Sequence, residues 1–99
     1  MKHKTDDNQQ EIIDALRAVG ATVQDLSKVG NGCPDILVGY KGGKYAGFLV
    51  YNNYLMEIKN PDTKGKLNML QKVWHMNWRG NVQVVRTVEE ALRVIGAID

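Results

Sequence analysis

Three residues of this chain have the types and spacing to do chemistry together: Asp35, Glu57 and Lys59. Asp35 follows Pro34 at the mouth of an apolar run over residues 36–38. Glu57 and Lys59 stand two apart near the end of a second run over 54–59. Side chains alternate across a strand, so Glu57 and Lys59 share one face while Met56 and Ile58 take the other. If the two strands lie side by side, both carboxylates can reach one cation. Hard oxygen ligands with retained waters are how magnesium is held beside phosphate. Such a metal lowers the pKa of a bound water and braces the charge developing on a phosphodiester. A lysine next to it is a compact positive charge that orients the nucleophile or stabilises the transition state. The plainer reading is a same-face ion pair, worth at most about 1 kcal/mol if exposed.

The elements that must position these residues follow from periodicity and punctuation. Ile12, Ile13, Leu16 and Val19 predict a helix over 9–19, with Asn8 as its cap, Glu11 as the return partner of a capping box, and Gly20 at its left-handed end. A short strand over 22–26 and a glycine-containing loop lead into strand 36–38, whose apolar run suits burial on both faces. Residues 41–44 read as a glycine turn, 45–51 as a strand, 52–53 as a second turn and 54–59 as a third strand. Pro61 ends that run. Asn68 caps a helix over 69–79, in which Leu70, Val73, Trp74 and Asn77 share a face. A strand over 82–86 follows, and Thr87 and Glu90 open a last helix with Val88, Leu92 and Ile95 on its buried side. The order α-β-β-β-β-α-β-α predicts one α/β domain over residues 1–99, with a mixed sheet flanked by helices.

Composition narrows the function classes. With 43% hydrophobic and 24% charged residues, the 99-residue chain reads as one folded domain rather than a disordered one. No apolar run approaches the roughly 20 residues that span a bilayer, and the opening MKHKTDDNQQ has no apolar stretch of the secretory kind. Cys33 is a lone cysteine, and with two histidines it offers too few soft ligands for structural zinc. A reducing, cytoplasmic setting is expected, with no membrane partner and no organic cofactor. Charge is unevenly spread: residues 41–79 carry seven basic side chains against two acidic ones, as a polyanion binder requires.

The 34–35 and 57–59 motifs, the Asn8-Gln9-Gln10-Glu11 helix start and the spacing of Leu67, Gln71 and Trp74 together resemble the VRR-NUC branch of the PD-(D/E)xK nucleases. The likeness is nearest to short stand-alone members from phages and bacteria, and runs from about residue 8 to residue 96. It implies a restriction-endonuclease-like core, with residues 45–53 as an extra hairpin arm, in a bacterial or phage-infected cell. It implies a DNA endonuclease dependent on Mg2+, with Mn2+ able to substitute. Asp35, Glu57 and the Ile58 carbonyl would bind the metal, and Lys59 would be the catalytic lysine. Glu11 would reach in from the first helix and Gln71 from the second. Gln71 is also the capping-box partner of Asn68, and the two uses compete for one side chain. Lys64 and Lys66, with Lys41 and Lys44, are the expected phosphate contacts.

One active site per small domain suggests a homodimer for cutting both strands of a duplex, branch or junction. The alternative is a non-catalytic DNA-binding or assembly module that keeps the fold. Cys33 reads as an inert buried thiol, His75 as a surface or hydrogen-bonded residue, and the pair Trp74 and Trp78 as core packing or a partner surface before base stacking.

Overall fold

Ile12, Ile13 and Leu16 are all buried, so the first helix forms where its apolar face requires. The computed structural model describes residues 8–45, 48–62 and 66–99, and within these the side chains of all but residues 43–45 and 48–49. The elements are α1 (Gln9–Ala18), β1 (Thr22–Asp25), β2 (Ile36–Tyr45), β3 (Phe48–Ile58), α2 (Met69–Asn77), β4 (Val82–Val85) and α3 (Val88–Val94). The strands lie in the order β1-β2-β3-β4. Both pairings of β2 are antiparallel, whereas β3 and β4 run parallel, joined through α2. This is the mixed sheet with flanking helices that the pattern predicts.

Alternation divides the sheet into two faces. Ile36 and Val38 of β2, Met56 and Ile58 of β3 and Val85 of β4 are wholly buried, and they meet Ile12, Leu16, Ala91 and Ile95 from α1 and α3. Each such aliphatic side chain contributes about 1.5–3 kcal/mol on leaving water. Thr87 caps α3 as expected, accepting from Glu90 N at 3.0 Å. No helix among the described residues is long and apolar enough to cross a membrane.

The strand order needs one correction: among the described residues three strands precede α2, not four. Residues 41–44 do not turn. They continue β2, with a bulge between Lys41 and Gly43. Asn52 and Asn53 do not turn either, but pair with Tyr40 and Gly39 in β3. The extra arm is therefore the outer half of one long hairpin, whose pairing extends out to Tyr45 and Phe48. Glycine permits a turn without compelling one, and Gly42 has another use: a Cβ there would collide with the Tyr40 ring. Residues 36–38 are also not buried on both faces, because Leu37 is only half covered.

Helix α2 departs further from expectation. It ends at Asn77 and has no buried residue, with Leu70 60% and Val73 45% exposed. It is held at its start instead. Gly32, at φ +85°, lies so close that a Cβ would run into the Leu70 carbonyl. Gly20, at φ +95°, has open space around it.

These two glycines separate backbone strain from crowding. Gly20→Ala should cost the left-handed penalty alone, about 1–2 kcal/mol. Gly32→Ala should lower the midpoint of thermal unfolding further, because α2 must also move. Circular dichroism melts of the two variants compare them directly.

Candidate active site

Asp35 sits one residue before β2, behind the buried Pro34. Its backbone carbonyl accepts from Leu26 N at 2.8 Å, which extends the β1 pairing past Asp25. Its carboxylate accepts from Ile58 N at 2.7 Å through Oδ2. Ile36 pairs with Met56, so one further step in the same register sets Asp35 beside Glu57. Both point away from the aliphatic core, on the face shared by Lys59. In an extended strand the N–H and C=O of one residue point to the same side. The Ile58 carbonyl is therefore directed to the edge where Asp35 lies.

Glu57 is 1% exposed although it is on the face opposite the core. Gln71, from the first turn of α2, covers it. The Gln71 amide donates from Nε2 to Glu57 Oε2 at 3.1 Å, and its Oε1 accepts from Lys59 Nζ at 3.0 Å. Lys59 Nζ is 3.9 Å from the same Glu57 oxygen. Each end of the amide thus meets the charge that suits it. Oε1 also accepts from Asn68 N at 2.9 Å, while Gln71 N donates to Asn68 Oδ1 at 2.9 Å. The expected competition between capping box and site does not arise, since a carbonyl oxygen has two lone pairs and the amide nitrogen two protons.

The start of α1 is tied in differently from expectation. Asn8 makes no side-chain cap. Its Nδ2 instead donates to Lys59 O at 3.1 Å and Arg86 O at 2.6 Å, joining the ends of β3 and β4. Without that cap there is no capping box for Glu11 to close. Glu11 is exposed and lines a hollow of about 300 Å³ with Asn8, Asn60, Pro61 and Asp62, at the rim rather than in the Gln71 network.

Other predicted positions separate clearly. Lys66 is exposed, and Lys41 lies with Nζ 5.6 Å from the Tyr51 ring centre. Lys64 lies outside the described residues, as does the side chain of Lys44. Burial pushes the Cys33 thiol up, with the Glu57 and Asp35 charges adding to it, so it stays protonated and non-nucleophilic. Trp74 and Trp78 stack on each other at 4.7 Å, but Trp78 is 46% exposed and the pair is not part of the core.

His75 is a residue the sequence undervalued. It follows Gln71 by one helical turn, and its Nε2 is buried with no hydrogen-bond partner. Burial first, and then the Lys59 charge, hold its imidazole below the ordinary value of 6.5. The i, i+4 spacing from Gln71 was the available signal.

A solved structure titled "VRR_NUC domain" matches this chain with a TM-score of 0.58 and 27% identity, over 88% of each chain. The fold is of the VRR-NUC type. No family model matches the sequence, and no curated protein does. The VRR-NUC likeness supports a nuclease domain in general.

Two measurements probe this arrangement. Asn68→Ala removes an N-cap worth about 1 kcal/mol and should lower the melting midpoint by roughly 4–8 °C, while Asn68→Asp should keep most of the stability. His75 has a depressed folded-state pKa, so its contribution is present above pH 6.5 and is lost as pH falls through the lower folded value. Urea midpoints should fall between pH 7.5 and 5.5, and His75→Gln should flatten that fall.

Proposed function

We propose that this VRR-NUC-type chain is a magnesium-dependent deoxyribonuclease that hydrolyses phosphodiester bonds. The observation that carries the reading is the network of Asp35, Glu57, Lys59 and Gln71 on one sheet face in a fold of this type. Among the described residues no group of three or more His, Cys, Asp or Glu gathers as a metal cage. Two carboxylates and a strand carbonyl are nevertheless the all-oxygen donor set that Mg2+ takes with retained waters, and Mn2+ tolerates the same ligands. Asp35, Glu57 and the Ile58 carbonyl would hold the ion. When bound, it supplies activation of water and neutralisation of charge on the phosphate.

The remaining roles belong to the chain itself. Lys59 presents its ammonium beside the carboxylates, where it can hold the attacking water or the anionic phosphate oxygens. Gln71 keeps that ammonium in place through Oε1 and orients Glu57 through Nε2. Glu11 at the rim acts on the approach of the substrate rather than on the reacting atoms. Lys41, Lys44, Lys64 and Lys66 supply phosphate contacts, so affinity falls as salt rises. A homodimer would bring two such sites to one branched or junction substrate.

Cleavage of labelled branched, duplex and single-stranded DNA with Mg2+, Mn2+ or chelator tests the reading. Asp35→Ala and Lys59→Ala should each lower the rate by about 100-fold or more, and chelator should abolish it. Activity that survives chelator or Asp35→Ala refutes the metal mechanism. DNA binding without cleavage under any metal supports the non-catalytic module instead.

A further inference from the structure

The face of the sheet that bears Asp35 and Glu57 continues outward along the β2–β3 hairpin. Strand pairing sets its side chains in rows: Gln24 beside Leu37 and Leu55, then Thr22 beside Gly39 and Asn53, then Lys41 beside Tyr51. The helices α1 and α3 pack on the opposite face. Thr22, Gln24, Lys41, Tyr51 and Asn53 are all exposed. Gly39 leaves the middle row without a side chain, and a Cβ there would come within 2.8 Å of Thr22 Oγ1 and 3.6 Å of Asn53 Oδ1. The result is a shallow hollow of about 190 Å³, lined by Thr22, Val23, Gln24, Leu37, Gly39 and Asn53.

The chemistry of this face is suited to a polynucleotide. Its three outer rows hold no carboxylate, only neutral hydrogen-bonding groups, two leucines and one lysine. Tyr51 is 72% exposed, with the Lys41 ammonium 5.6 Å from its ring centre. The ammonium lies over one face of the ring, so a base would stack on the opposite face while the cation meets the adjoining phosphate. Tyr51 and Glu57 are six residue steps apart along β3, or about 20 Å, which is roughly six nucleotide steps of stacked strand. Three strands span about 10 Å across, a width for one nucleic-acid strand. Away from the ends of a duplex every base face is covered by its stacked neighbours, so there only an unpaired base offers its face to a tyrosine.

We infer that this face is the path of an unpaired substrate strand, with Tyr51 stacking one of its bases and Lys41 holding the neighbouring phosphate. The inference rests on the nuclease reading above and adds to it a preference for DNA with a single-stranded branch. It gives the outer hairpin a function: carrying a stacking platform at a fixed distance from the carboxylates.

Fluorescence anisotropy in chelator, comparing a duplex bearing a single-stranded tail with a blunt duplex, tests it. Tyr51→Ala should weaken binding of the tailed duplex about tenfold and leave the blunt duplex unchanged, while Tyr51→Phe should bind both like the wild type. Circular dichroism checks that the variants fold. Equal binding of the tailed duplex by Tyr51→Ala and wild type refutes the inference, as does an equal loss on both substrates. A dimer that Tyr51→Ala turns into a monomer in sedimentation refutes it too, making this face a contact between two copies. A wild type that cuts DNA while Tyr51→Ala behaves identically sinks this inference alone. A wild type that neither binds nor cuts DNA sinks the nuclease reading with it.

Discussion

A carboxylate buried to 1% exposure at the end of β3 sets the terms for the structure around it. An ionised Glu57 there is costly unless positive charge and hydrogen-bond donors lie close. Lys59, two residues on and on the same face, brings the charge to 3.9 Å. Gln71 brings the donor, and the same amide accepts from Lys59. No residue of helix α2 is fully buried, so its placement leans on this polar contact and on the close approach of Gly32. The helix cap and the charged pair therefore form one unit.

The two sheet faces do different work. One is aliphatic and meets α1 and α3, which gives the small chain the burial that its folding needs. The other carries Asp35, Glu57 and Lys59, and among the described residues Gln71 of α2 closes it near Glu57. Asp35 joins the two functions. Its Oδ2 accepts the Ile58 amide and so holds β3 against β2, while the carboxylate remains on the polar face. A similar economy applies to Asn8, whose amide links the carbonyls that end the parallel pair β3 and β4.

Local signals were read correctly where local physics decides. The apolar spacing of α1, the caps at Asn68 and Thr87 and the left-handed Gly20 all depend on a few neighbouring residues. The hairpin departs from its local signals for the complementary reason. Gly42-Gly43 and Asn52-Asn53 have turn chemistry, but cross-strand pairing outweighs it, and the bulge takes up the irregularity in β2. The Tyr40 ring lies against Gly42, so a Cβ there would require the ring to shift, a contact between second neighbours that no turn rule contains. The face of α2 was misassigned because periodicity reports which residues are apolar, not whether another element covers them.

What the sequence by itself determined is the chemistry available: two carboxylates and a lysine on strands, placed on one face by the two-residue period. It also determined the motifs that resemble the VRR-NUC family. Tertiary structure decided which groups meet. Register set Asp35 beside Glu57, and packing at Gly32 brought Gln71 over both charges. The same assembly left Glu11 at the rim and took Asn8 from its helix to the strand ends. Side-chain type is encoded residue by residue, whereas a hydrogen bond between residues 51 or 78 positions apart exists only once the chain has closed on itself.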